Sequence, residues 1–134
     1  MSQNIKPSVW GPHGWKFMHY VSLGYPIHPT NNEKEHYKTF YESLQYILPC
    51  GKCAQNYAEN LKQHPIDKSL DTRDNLIKWV IDIHNKVNTE LGKPSVPYED
   101  ALNLYLKQSS PITTYGFKLL VLAIILVFVY YLMK

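Results

Sequence analysis

Apolar side chains return every three or four residues along most of this chain, and no stretch alternates apolar with polar as a half-buried strand would. Between Pro12 and the stop signals Gly24 and Pro26, the residues Trp15, Met18, His19, Ser22 and Leu23 share one helical face. Pro12 is compatible with a first helical turn, so the spacing predicts a helix opening there. A second helix is expected from about Asn32 to Tyr46, with Tyr37, Phe40, Tyr41, Leu44 and Leu48 as its stripe. A third begins at the cysteines, after Pro49, and buries Cys50, Cys53, Ala54, Tyr57 and Leu61 before Pro65 ends it. The fourth has the strongest pattern: Asp71 or Thr72 caps it, Leu76, Trp79, Val80, Ile83, His84, Val87 and Leu91 line it, and Gly92 and Pro94 stop it. A short fifth helix is expected over 98–106. The predicted fold class is all-α, a four-helix bundle with a short fifth helix and one C-terminal transmembrane helix.

That last element rests on "LLVLAIILVFVYYLM", residues 119–133, which carry no charge and follow Phe117 and Lys118. About 20 apolar residues span a bilayer core and about 17 is the lower limit. Lys118 and Lys134 can snorkel to the two interfaces, and Tyr115, Tyr130 and Tyr131 suit interfacial positions. The alternative, a core helix apolar on every side, is unusual in so small a domain. The expected organisation is a folded domain over 1–106, a linker over 107–116 and an anchor over 117–133. The first residues lack the apolar stretch of a signal peptide. Lys107 and Lys118 precede the anchor and Lys134 follows it, a slight positive-inside bias, and no N-x-S/T sequon occurs. These features place the domain on the cytosolic face of a membrane.

Charge narrows the function classes. Of 14 basic residues Lys118 and Lys134 flank the apolar run, and all 11 acids precede it, so the folded part is nearly neutral. No basic stripe points to nucleic acid.

The only two cysteines stand in "LPCGKCAQN" as Cys50 and Cys53. Three readings and a bland one compete. A structural zinc site wants four ligands, and no H-x3-5-H pair follows the cysteines among the 6 histidines, so no metal site is expected. A thioredoxin-type site sets its C-x-x-C in a βαβ context, whereas helices flank this one. At a helix start the free N–H groups and the macrodipole favour a thiolate, at Cys50 in particular, and i, i+3 spacing lets the sulfurs bridge, which describes a reactive dithiol. The bland reading is an incidental pair, against which placement after a proline argues.

His19 and His84 fall on apolar faces, where a histidine is more often a satisfied core residue than a functional one. Yet Asn85 and Asn88 crowd amides beside His84, and Gly11, Trp15 and His19 follow one another at one-turn intervals. Such a cluster at a core edge calls for a hydrogen-bonding, stacking partner, and a large flat aromatic ligand with polar edges would serve. Trp10, Tyr25, Tyr57 and Tyr98 remain open between core packing and ligand contact.

The ordered set resembles the FAD-linked sulfhydryl oxidases of the Erv/ALR family: G-x-x-x-W-x-x-x-H as Gly11, Trp15 and His19, the C-x-x-C after proline, and "HNKVNTELGKP" as H-N-x-V-N-x-x-L-x-K-P. The resemblance covers roughly residues 8–106. It implies a helical bundle, usually a homodimer, that holds FAD without a G-x-G-x-x-G loop. Carried over, Gly11, Trp15, His19, His84, Asn85, Val87, Asn88 and Lys93 would bind the cofactor. Cys53 would lie against the isoalloxazine, and Cys50 would accept attack from the substrate thiolate. The implied activity oxidises protein dithiols and passes the electrons through FAD to oxygen, releasing hydrogen peroxide. The second, shuttle C-x-x-C and the structural disulfides of cellular members are missing, so a thioredoxin- or glutaredoxin-like partner supplies the shuttle or substrates reach Cys50 directly. The minimal form looks most like the enzymes of large cytoplasmic DNA viruses. Two other readings stay open on the residues alone: a flavin-free thioredoxin-like exchanger, and a tail-anchored helical scaffold whose cysteines are incidental.

Overall fold

The computed structural model describes residues 4–109 and 112–132, with side chains described for 4–107 and 119–131. Six α-helices and one 3-10 turn follow in order: α1 Pro7–Leu23, α2 Asn31–Ile47, α3 Gly51–Gln63, the turn Asp67–Ser69, α4 Arg73–Glu90, α5 Tyr98–Ser109 and α6 Ile112–Leu132. The chain forms two compact units, Met1–Leu102 and Asn103–Lys134.

In the first unit α1 packs on α4, α2 on α3, and α3 on α4. Their stripes meet in one core of Met18, Tyr25, Tyr41, Leu44, Tyr57, Leu61, Ile66, Leu70, Leu76, Trp79, Val80 and Ile83. Much of it is aromatic, and each buried polar tip finds a backbone carbonyl on another element. Tyr25 Oη donates to Leu70 O at 2.8 Å, Tyr41 Oη to Met18 O at 2.9 Å, Tyr57 Oη to Tyr41 O at 3.1 Å and Trp79 Nε1 to His64 O at 2.9 Å. Tyrosine therefore fills the interior without orphaning its hydroxyl. Tyr25 and Tyr57 thus belong to the core, while Tyr98 packs on a second, smaller cluster of Ile77, Ile81 and Ala101.

The helix ends show why the elements start where they do. α2 carries a capping box, with Thr30 Oγ1 accepting from Glu33 N and Thr30 N donating to the Glu33 carboxylate. Thr72, not Asp71, caps α4 by accepting from Asn75 N. α1 opens at Pro7, five residues before the expected start, and Pro12 lies inside it. Pro12 is the sixth residue of α1, where its missing N–H forfeits the ladder bond to the Ser8 carbonyl. Leu91, expected in the α4 stripe, is 60% exposed, because the helix has already ended. Gly92 at φ +67° turns the chain in the left-handed region open to glycine.

The second unit carries α6. Among the described residues no helix is long and apolar enough to cross a membrane. The anchor expected over 117–133 is therefore not shown. Side chains are described only over 119–131, short of the roughly 20 residues a span needs. Met133 lies outside the described residues. The linker expected over 107–116 is helical where it is described, as the end of α5 and the start of α6.

Candidate active site

The redox pair sits at the head of α3. Cys50 is its N-cap, extended at φ −146° and ψ 112°, and its Sγ accepts from Cys53 N at 3.2 Å. Cys50 and Cys53 form a disulfide, with Cα atoms 5.2 Å apart. Pro49 holds the preceding turn, and its carbonyl accepts from Ile5 N at 2.8 Å. Cys50 is buried, 6% exposed, while Cys53 is half-buried. Cys53 is thus the more exposed of the two residues.

The other expected residues gather on the seam between α1 and α4. Gly11, Trp15 and His19 succeed one another at i, i+4 and i+8 on α1, and His84 faces them from α4. The Trp15 and His84 rings stack 4.1 Å apart at 6° to one another. His19 Nε2 and His84 Nδ1 meet at 3.0 Å. One of those nitrogens must carry a hydrogen and the other must not, so the two rings cannot both be protonated. The electrostatics agree: burial, then the neighbouring His84, lowers the His19 pKa to about 3, and burial, then the Lys93 charge, lowers that of His84 to about 4.

The remaining α4 residues divide. Val87 and Asn88 are half-buried on the seam. Lys93 is exposed, and its backbone N–H returns to Asn88 O at 2.8 Å, which folds the segment after Gly92 back onto the helix end. Asn85 has a second task that sequence reasoning missed. Its amide donates to Val96 O and accepts from Val96 N, both at 2.9 Å, clasping the loop that leads to α5. Also missed was Glu90, whose two oxygens accept from Asn56 Nδ2 at 3.2 Å and Asn60 Nδ2 at 2.8 Å on α3. The one available signal was an acid in the last turn of a helix, where the dipole favours a base.

Two observations test whether a large aromatic cofactor fits. A Cβ built on Gly11 meets nothing within 4 Å, so there is room at the head of the Trp15–His19 row. Trp10 Nε1 is the only buried side-chain nitrogen or oxygen without a hydrogen-bond partner among the described residues. Open space, an unpaired donor, stacking rings and flanking amides together suit a flat group with acceptor edges.

Comparison with known proteins agrees with this chemistry. A sequence profile described as the Erv1 / Alr family matches residues 12–108. The chain is 48% identical over 108 residues to "Probable FAD-linked sulfhydryl oxidase R368" of Acanthamoeba polyphaga mimivirus, covering 80% of this chain and 76% of that one. It is 32% identical over 84 residues to the mitochondrial FAD-linked sulfhydryl oxidase ERV1 of Saccharomyces cerevisiae, covering 63% of this chain and 43% of the yeast protein. The fold matches the crystal structure of the FAD binding domain of Erv1 from Saccharomyces cerevisiae with a TM-score of 0.69 at 28% identity, over 78% of this chain and 94% of that one. The chain belongs to the Erv1 / Alr family.

Proposed function

We propose that this protein is an FAD-linked sulfhydryl oxidase, which converts a polypeptide dithiol and oxygen into a disulfide and hydrogen peroxide. The observation that carries the reading is the Cys50–Cys53 disulfide at the N-terminus of α3, in the same bundle as the Trp15, His19 and His84 cluster.

Gly11, Trp15, His19, His84, Val87, Asn88 and Lys93 would hold the FAD, with Asn85 contributing through the loop it clasps. Bound there, FAD supplies a two-electron acceptor that reoxidises on oxygen. The chain's own part is thiol–disulfide exchange. A substrate thiolate attacks Cys50 Sγ, forming a mixed disulfide and releasing Cys53 as thiolate. The second substrate thiolate attacks the substrate sulfur of that mixed disulfide, expelling Cys50 and leaving the substrate oxidised. The exposed N–H groups and dipole at the head of α3 stabilise the negative sulfur at each stage. The open side of Cys53 suits a ring laid against it. The outward role of Cys50 requires that the docking substrate uncover it, since it is the more buried residue of the pair.

The working form is a homodimer, as the family resemblance implies, and a thioredoxin- or glutaredoxin-like protein or the substrate itself delivers the electrons. The C-terminal segment tethers the enzyme to a host or virion membrane with residues 1–106 in the cytosol. The uncharged run 119–133 between Lys118 and Lys134 supports this. Retention of the full chain in vesicles washed at high pH, and release of a chain ending near residue 110, would bear out the tether. Release of both would remove it.

The test of the activity is the visible spectrum of the purified full chain, before and after adding dithiothreitol in air. Yellow protein whose flavin bands bleach and recover as oxygen is consumed is the expected result. Folded, colourless protein that cannot be reconstituted with FAD would overturn it and return the scaffold reading to the front. Cys50→Ser and Cys53→Ser should each abolish turnover, with FAD retained in Cys50→Ser.

A further inference from the structure

We propose that Glu90 is a positioning residue for the redox pair, its carboxylate setting where Cys53 stands relative to the cofactor seam on α4; this rests on the oxidase reading above. Glu90 is not among the residues that carry the family resemblance, occupying an unspecified position of H-N-x-V-N-x-x-L-x-K-P. Locally it is misplaced. A carboxylate in the last turn of a helix faces the negative end of the macrodipole, which disfavours it, and α4 has no basic residue in that turn. A side chain that offends its own helix is explained by what it does elsewhere.

What it does is hold α3. Its two oxygens take the amide hydrogens of Asn56 and Asn60, at 3.2 and 2.8 Å. These asparagines lie at i+3 and i+7 from Cys53, so they share its face of α3. Asn60 is 3% exposed, so its amide is buried beneath an exposed Glu90, and its bond to the carboxylate is charge-assisted. One acceptor bridging two successive turns resists both rotation of α3 about its axis and sliding along α4. Cys53 rides on that face, and Asn88, two residues before Glu90, lies on the seam. The carboxylate is therefore the polar tie between the helix bearing the sulfurs and the helix end bearing His84, Asn85, Val87 and Asn88. Electron transfer from a sulfur to a ring needs contact, and a misplacement of about an ångström costs up to roughly a hundredfold in rate.

The test uses the full chain loaded with FAD, in a Cys50→Ser background that leaves Cys53 as a lone thiol. A thiolate lying against an oxidised flavin absorbs at long wavelength, and that band reports contact without turnover. Adding Glu90→Ala is expected to remove most of the band while FAD content is unchanged. In the otherwise native chain Glu90→Ala should lower kcat roughly tenfold and leave KM for dithiothreitol unchanged. Glu90→Gln keeps one acceptor but turns an NH2 toward an asparagine NH2, so it should fall between. An unaltered band and kcat in Glu90→Ala would overturn the proposal. So would loss of FAD in step with the band in both variants, which would make Glu90 a structural tie only. Absence of the band in Cys50→Ser alone would instead overturn the assignment of Cys53 to the flavin side, and the positioning role would fall with it.

Discussion

The imidazole of His84 lies flat on the indole of Trp15, 4.1 Å from it and 6° from parallel, while its Nδ1 meets His19 at 3.0 Å. One ring of α4 thus holds two residues of α1 that are four positions apart. The contact joins packing to function, because the rings that close the α1–α4 seam are also those expected to hold the cofactor.

His84→Ala removes the stack and takes away the His19 partner at once. An aromatic stack is worth about 0.5–1.5 kcal/mol beyond its buried area, and a buried polar group stripped of its partner costs about 1–3 kcal/mol. We expect a loss of roughly 2–3 kcal/mol in denaturant unfolding and flavin content well below that of the unaltered chain. His84→Phe should recover part of the stability through the stack, and little of the flavin. Equal recovery of both would show that the imidazole serves packing alone.

The same pair sets a pH dependence. Both histidines have folded pKa values below the ordinary 6.5, about 3 for His19 and about 4 for His84. The unfolded chain therefore binds more protons than the folded one between roughly pH 6.5 and pH 3–4, and stability falls as pH is lowered through that window. Well above pH 6.5 both states are neutral and the dependence vanishes. Melting curves should fall steadily from pH 7 to pH 4.5. His19→Asn, which removes one of the two groups, should flatten the slope. A slope unchanged in that variant would mean that other groups carry it.

How much of this was legible depends on what kind of pattern a residue leaves. α4 was plain because Leu76, Trp79, Val80 and Ile83 repeat at helical spacing after Thr72, and burial of one face is the main force on a helix. Its second buried face, Ile77 and Ile81 against α5, was not read, since that stripe makes sense only once a fifth helix is there to cover it. The start of α1 was misplaced because Pro12 resembles a first-turn proline, and Pro7 sits as well at the true one. The cofactor seam was visible as a motif and as misplaced polarity. The Glu90 tie was not visible, because an acid and two asparagines spread over two helices look like solvated faces until the helices meet.

Asn85 yields a prediction separate from cofactor binding. Its amide makes two bonds of 2.9 Å to the backbone of Val96, on an exposed part of the surface. Asn85→Ala should cost about 1–2 kcal/mol, two modest hydrogen bonds less what water returns. The sharper readout is hydrogen exchange: the Val96 amide should lose its protection while the core of α4 keeps its own. Protection retained at Val96 would show that the loop is held by something other than this clasp.

The buried tyrosines form a relay of ties whose energetics can be separated. Tyr57 on α3 donates to the backbone carbonyl of Tyr41 on α2, and Tyr41 donates to the carbonyl of Met18 on α1. Burial raises both phenol pKa values far above the usual range, so both hydroxyls keep their protons at neutral pH. Tyr41→Phe and Tyr57→Phe each delete one hydroxyl and keep the ring, so each should cost about 0.5–1.5 kcal/mol, or roughly 5 °C in Tm. The side chains are close neighbours, which ordinarily means coupling. Here, however, the acceptor for Tyr57 is the Tyr41 carbonyl, which survives the substitution. The double variant should therefore lose the sum of the two within about 0.5 kcal/mol. A deficit well beyond the sum would mean that the hydroxyls act through a shared network, and that α1, α2 and α3 are held together more cooperatively than these backbone acceptors imply.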